Sequence, residues 1–118
     1  MVIKGSWNVE GQQGAGSHGG TGNYFVRTLL TDEFESSMKY IRDLLLEPGS
    51  SIGIHAHSGD EEIYYIISGT GMMQVDGEEK KVQAGDVVLT KSGSSHGLRN
   101  DSTEDLRIFV ACARTGQE

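Results

Sequence analysis

From Ser50 onward the chain alternates between short apolar or alternating runs and tight polar breaks. The runs cover residues 51–56, 62–67, 72–75, 80–83, 87–91 and 106–113. They are separated by Ser58-Gly59-Asp60, Ser68-Gly69-Thr70-Gly71, Asp76-Gly77, Ala84-Gly85-Asp86, Ser92-Gly93-Ser94 and Asn100-Asp101-Ser102. Short strands with turns every 8–12 residues or so predict an all-β sandwich or barrel. Asp76-Gly77 is the strongest hairpin signal, because Asp-Gly suits a two-residue type I′ turn. A further run over 38–46 ends at Glu47-Pro48-Gly49, where proline halts pairing and glycine turns the chain. Residues 32–37 are compatible with a helix of a turn or two, capped by Thr31 or Asp32. The stretch 24–30 is expected to pair at a sheet edge, where uncovered strands need protection.

Residues 1–22 differ in kind. Six of the twelve residues from 11 to 22 are glycine, and apolar side chains are almost absent there. This segment reads as a flexible arm, or as one that orders against another subunit or over a pocket; residues 23–118 form the barrel. Gly14-Ala15-Gly16-Ser17-His18-Gly19 matches G-x-G-x-x-G, but that fingerprint has meaning only between a buried strand and a helix. Residues 1–13 are too polar for the strand, and Gly20-Thr21-Gly22 breaks the helix, so nucleotide binding is not expected.

A length of 118 residues gives one domain, which buries roughly two-thirds of its unfolded-chain surface. The net charge of −7 argues against nucleic acid or an anionic membrane as partner. No stretch approaches the ~20 apolar residues of a membrane span, and the first eight residues lack the apolar centre of a signal peptide. A single cysteine makes no internal disulfide, so a cytoplasmic location is expected. Cys112 alternates with Ile108 and Val110 and reads as a packing residue.

The chemistry concentrates in the histidines. His55 and His57 sit at i and i+2 in a strand-like stretch, which puts both imidazoles on one face. A carboxylate follows after a turn, at Glu61 or Glu62, and Gly93 allows the chain to bring His96 back across the sheet. Three imidazoles and one carboxylate form a donor set suited to Mn, Fe, Co, Ni, Zn or Cu. Four such ligands on an octahedral ion leave two positions for water, dioxygen or a chelating substrate.

These residues resemble the cupin superfamily. The pattern G-x5-H-x-H-x3/4-E-x6-G is met by Gly49, His55, His57, Glu62 and Gly69, and the fit to Gly69 selects Glu62 over Glu61. The second pattern, G-x5-P-x-G-x2-H-x3-N, is met by Gly85, Gly93, His96 and Asn100. Lys91 stands where the family usually has proline, a departure that touches a turn rather than a ligand. The two motifs span residues 49–100 with a 15-residue gap. The resemblance implies a double-stranded β-helix, or jelly-roll, barrel holding one divalent transition metal per chain on His55, His57, Glu62 and His96, with Mn or Fe favoured. Asn100 is then a turn-fixing residue.

Leu46-Glu47-Pro48-Gly49-Ser50-Ser51-Ile52-Gly53, with the arm ending His18-Gly19-Gly20, is similar to small single-domain bacterial cupins labelled oxalate-decarboxylase-like or sugar-isomerase-like. The separate acidic lid of two-domain oxalate decarboxylases is not identifiable here. The expected function is thus an enzyme of decarboxylase, isomerase, lyase or dioxygenase type acting on a small carboxylate or sugar chelated to the metal. The alternatives are a sensor or storage module without turnover, and a metal that only braces the barrel. Tyr64, sharing strand parity with Glu62, is a candidate pocket residue; His18 is a candidate acid–base group if the arm folds over the site. Arg27 and Arg42 are candidates for binding a substrate carboxylate. A homodimer is expected, because the first 22 residues cannot build a core of their own.

Overall fold

The computed structural model describes residues 1–116. Ten strands form in order: β1 (Gln12–Ala15), β2 (Asn23–Leu30), β3 (Met38–Leu46), β4 (Ser51–Ala56), β5 (Asp60–Ser68), β6 (Thr70–Val75), β7 (Glu78–Gln83), β8 (Val87–Thr90), β9 (Ser95–Arg99) and β10 (Leu106–Arg114). They make two antiparallel sheets, one of six strands in the order β1-β2-β3-β10-β5-β8 and one of four in the order β4-β9-β6-β7. The sheets face each other across one core, the arrangement of a jelly-roll barrel.

Each run predicted as a strand is one. β6 and β7 pair directly up to Val75↔Glu78, so Asp76 and Gly77 alone make the turn. Both are left-handed, at φ 50° and 84°, as a type I′ turn requires.

Two expectations are corrected. Residues 32–37 form a turn and bends rather than a helix. The segment is the connection between paired strands β2 and β3, and the Glu33 carboxylate accepts the Thr31 N–H at 2.9 Å, which closes a turn in place of a helical cap. The stretch 24–30 is only partly at a sheet edge: β1 covers β2 as far as Val26, and beyond it β2 pairs with β3 alone. The covering strand comes from the glycine-rich segment itself, with Gln12↔Val26 and Ala15↔Asn23 in register. Residues 1–22 therefore include a strand of the main sheet, and single 3-10 turns at Ser6–Asn8 and Ser17–Gly19 flank it.

Alternation along the strands decides where the site lies. On β10, Leu106, Ile108, Val110 and Cys112 all point inward and are buried. At the Ile108 level they meet Ile66 and Leu44; at the Val110 level, Tyr64 and Arg42; at the Cys112 level, Glu62 and Tyr40. The inner face thus passes from apolar to polar in steps of two residues along three adjacent strands. The opposite sheet makes the same change, from Leu98 to His96 on β9 and from Ile52 to His55 on β4. One end of the barrel is filled by Leu46, Ile66, Leu106 and Ile108, each 1% exposed or less. Polar groups converge at the other end.

Asn100 holds the turn that closes the apolar end. Its side-chain amide donates to the carbonyls of Leu46 (2.9 Å) and Glu104 (2.7 Å), and its Oδ1 accepts from the N–H and hydroxyl of Ser102. Lys91 sits at a turn that closes without proline, through Ser94 N–H to Lys91 C=O and Gly93 at φ 93°.

Candidate metal centre

His55 and His96 are directly paired across β4 and β9, and His57 follows two residues after His55 at the end of β4. Glu62 reaches them from β5 in the facing sheet. His96 Nε2 lies 3.0 Å from His57 Nε2, 3.1 Å from His55 Nε2 and 3.1 Å from a Glu62 carboxylate oxygen; His57 Nε2 is 3.2 Å from that same oxygen. All four donor atoms lie within 4.8 Å of one another. His57, Glu62 and His96 are buried and His55 is half-buried.

The other ring nitrogens explain why these four atoms face each other. His55 Nδ1–H donates to the Gly53 carbonyl at 2.8 Å, which can only accept. His57 Nδ1–H donates to the Asp60 carboxylate at 2.8 Å. These bonds fix the tautomers and leave both Nε2 atoms as lone pairs. His96 Nδ1 is bonded to the Thr90 hydroxyl at 2.7 Å. A single proton on His96 Nε2 would serve only some of its three neighbours, whereas a cation among the four donors satisfies them all. The ~3 Å spacings also match adjacent ligands around an ion with bonds of about 2.1 Å. The donor set and its spacing therefore fit a divalent transition metal, and the group can hold one.

Surrounding groups tune the ligands. Burial pushes the Glu62 carboxyl up, but contacts with His96 and Tyr40 outweigh it and hold the group below the usual range. The Tyr40 hydroxyl donates to the second Glu62 oxygen. Burial, then the Glu62 charge, pushes the Tyr40 phenol far up, so it stays a donor. Asp60 behaves like Glu62: burial opposes ionisation, but Lys39 (2.6 Å) and His57 hold the carboxyl low. His55 is lowered, first by partial burial and further by the neighbouring imidazoles of His18 and His96. Supporting bonds of this kind orient metal ligands and raise affinity.

His55, His57 and Glu62 line a cavity of about 480 Å³, to which Tyr24, Tyr40, Arg42 and Tyr64 also contribute, and His96 lies fully buried behind them. Tyr64 is 4% exposed, its ring 4.9 Å from that of His96, and burial keeps its phenol protonated. Arg42 lies over the Tyr40 ring at 3.7 Å and donates to Thr28 Oγ1 at 3.3 Å. Arg27 is elsewhere. Strand parity turns Tyr24, Val26 and Thr28 to the cavity and Phe25 and Arg27 to the outer face. There Arg27 covers the Phe25 ring and donates to the Val9 carbonyl. His18 is brought to the site: its ring stacks on His55 with centroids 3.7 Å apart and planes 10° apart. Glu61 stays outside the donor group.

Sequence reasoning did not single out Tyr40, Asp60 or Thr90. Parity carried a signal for two of them, since Tyr40 is two residues from Arg42 and Asp60 is two from Glu62; Thr90 pairs with Glu62 across β5 and β8, which no local pattern shows. Cys112, buried as expected, lies within 4.8 Å of His57 and Asp60.

The cupin domain model matches residues 43–112, which contain all four donors. An oxalate-binding protein of Thermotoga maritima is 36% identical over 111 residues, covering 93% of this chain and 91% of the relative. The crystal structure of a protein from the same organism, described as a predicted oxalate decarboxylase, superposes with a TM-score of 0.91 at 33% identity, over 97% of this chain and 99% of that one. A 5-nitrosalicylic acid 1,2-dioxygenase of a Bradyrhizobium species is 29% identical over 66 residues, which are 56% of this chain and 31% of the enzyme. The matched motif region, and the likeness over nearly the whole length, establish that this chain belongs to the cupin family.

Proposed function

We propose that the protein is a metal-dependent enzyme whose substrate is a small carboxylate of the oxalate class, bound beside an ion on His55, His57, Glu62 and His96. The observation that carries this reading is the donor group itself: three imidazoles and a carboxylate, with the His55 and His57 tautomers fixed for metal binding, beside an open cavity that His55, His57 and Glu62 line. Mn or Fe is favoured for this set, and bound there it supplies Lewis-acid stabilisation of negative charge on chelated oxygens. The chain's own residues supply the rest. Arg42 has no carboxylate partner among the described residues, so its guanidinium is available to a ligand's free oxygens. Lys39 and Asp60 neutralise each other. The site with a divalent ion therefore carries an excess of two positive charges, which a dicarboxylate balances. Tyr40 and Tyr64 are both held protonated, and the Tyr40 O–H is spent on Glu62.

The reaction type falls among decarboxylation, lyase, isomerase and dioxygenase chemistry. The second reading is a binding module without turnover, supported by the relative named for oxalate binding. Calorimetric titration of the manganese-loaded protein with oxalate, followed by assay of the same mixture for carbon dioxide and formate, separates them. Binding with product supports the enzyme, and binding without product supports the module. No binding of oxalate, or of other small acids and sugars, rejects the substrate class.

A homodimer and a cytoplasmic location belong to the same proposal. The outer face of the six-stranded sheet exposes Ile63, Tyr65, Ile67, Val87 and Leu89 side by side, an apolar patch of the kind that marks an interface. Light scattering at micromolar concentration should give twice the monomer mass; a monomer rejects the dimer.

A further inference from the structure

The glycine-rich segment is fastened to the barrel at both ends. β1 pairs with β2 on one side. On the other, Ser51 N–H donates to the Thr21 carbonyl, Thr21 N–H donates to Ser51 Oγ, and Asn23 N–H donates to Ser50 Oγ. Between them, residues 16–22 form a strap whose ends are joined by Gly16 N–H to Gly22 C=O at 3.0 Å. The strap lies so close to β4 that side chains are excluded. A Cβ on Gly20 would stand 2.2 Å from the Ser51 carbonyl oxygen, and one on Gly53 would stand 2.1 Å from that of His18. Two backbones in contact fix where His18 stands.

His18 itself adopts φ 49°, flanked by Gly16 and Gly19 with positive φ. Its ring stacks on His55 and lines the cavity. Each of the other three histidines has its Nδ1 engaged by a neighbour. Among the described residues, His18 has no hydrogen-bond partner for either ring nitrogen. An imidazole held in place by stacking, with both polar atoms unspent, is arranged to meet something that enters. It reaches the cavity from the β4 side, while Arg42 reaches it from β3 in the facing sheet.

We infer that the strap is a specificity element: it holds His18 where a ring N–H donates to the carboxylate oxygens of a ligand that lie away from the donor group, with Arg42 on the facing wall. The site then takes small dicarboxylates in preference to monocarboxylates, because only a dicarboxylate has a second set of oxygens for His18. This inference rests on the carboxylate reading above. His18 is a positioning residue for the ligand and not a holder of the ion.

The test uses manganese-loaded protein with oxalate and acetate as probes. His18→Ala should weaken oxalate about tenfold, the effect of losing one hydrogen bond to a charged group. It should leave acetate affinity and metal content unchanged. His18→Gln, which keeps an N–H donor, should recover part of the oxalate affinity. Gly20→Ala should reproduce the His18→Ala loss by lifting the strap from Ser51. Unchanged oxalate affinity in His18→Ala overturns the inference while leaving the carboxylate reading intact, as does an equal loss for acetate. Loss of metal from His18→Ala also overturns it, by making His18 a prop for His55. Wild-type protein that holds manganese but binds no oxalate removes the carboxylate reading and this inference together.

Discussion

Among the described residues the Thr90 hydroxyl is the sole hydrogen-bond partner of His96 Nδ1, at 2.7 Å, and both residues are almost fully buried, at 1% and 0% exposure. Thr90→Val keeps the shape of the side chain and removes only the polar contact, so no cavity is created. It leaves a buried ring nitrogen without a partner, at a cost of about 1–3 kcal/mol. For a domain of this size that lowers the melting temperature of metal-free protein by about 4–12 °C. The same change frees the tautomer and rotation of His96, whose Nε2 is the donor nearest the other three. Loss of a supporting bond to a ligand typically lowers metal affinity about 10–100-fold. Thr90→Ser, which keeps the hydroxyl, should retain most of both. The assay is a competition titration of metal against a fluorescent chelator, run with melting curves of the metal-free proteins. Thr90→Val with wild-type metal affinity would refute the claim that this bond orients a ligand. An unchanged melting temperature as well would mean that the nitrogen finds another partner.

Two further outcomes follow from the same geometry. Metal-free protein should lose stability in two stages as pH falls. His55 is held below its usual 6.5, so below that pH the unfolded chain takes up a proton that the folded chain refuses, and stability declines. Glu62 and Asp60 are held below their usual 4.5 and 3.8, so their contributions are full above those values and disappear under them. A melting temperature that is flat from pH 7 to pH 5 would contradict the first stage. Gly77→Ala should destabilise by about 1 kcal/mol through backbone strain alone, because φ is 84° and nothing lies within 4 Å of the added carbon. Its metal content should match wild type, and a change there would mean that the β6–β7 turn bears on the distant site.

Much of this was legible from the chain because alternation and turn chemistry are local. Asp76-Gly77 specifies its hairpin without help from the rest of the molecule, and the His-x-His spacing places two imidazoles on one face by strand geometry. The barrel and the choice of Glu62 over Glu61 came from the motif resemblance, and the structure puts Glu62 inside the donor group and Glu61 outside it. What local pattern did not reveal was the partner of each strand. Residues 32–37 have the residues to cap a helix, but they form a turn and bends in the connection between the paired strands β2 and β3. Arg27 and Arg42 look alike in sequence; which faces the cavity depends on the register of β2 against β3, where Thr28 and not Arg27 opposes Arg42. The glycine-rich segment carries no apolar signal at all. Its order comes from backbone contacts with β2 and β4, and those contacts bring His18 to His55.

The central claim is that His55, His57, Glu62 and His96 hold one transition metal. Elemental analysis of protein purified without a histidine tag tests it most directly, with His57→Ala and His96→Ala prepared in parallel. The account predicts about one equivalent of a divalent transition metal per wild-type chain and little in either variant. Near-zero metal in wild type would contradict it, provided that added manganese, iron, nickel or zinc raises the melting temperature of wild type no more than that of His57→Ala.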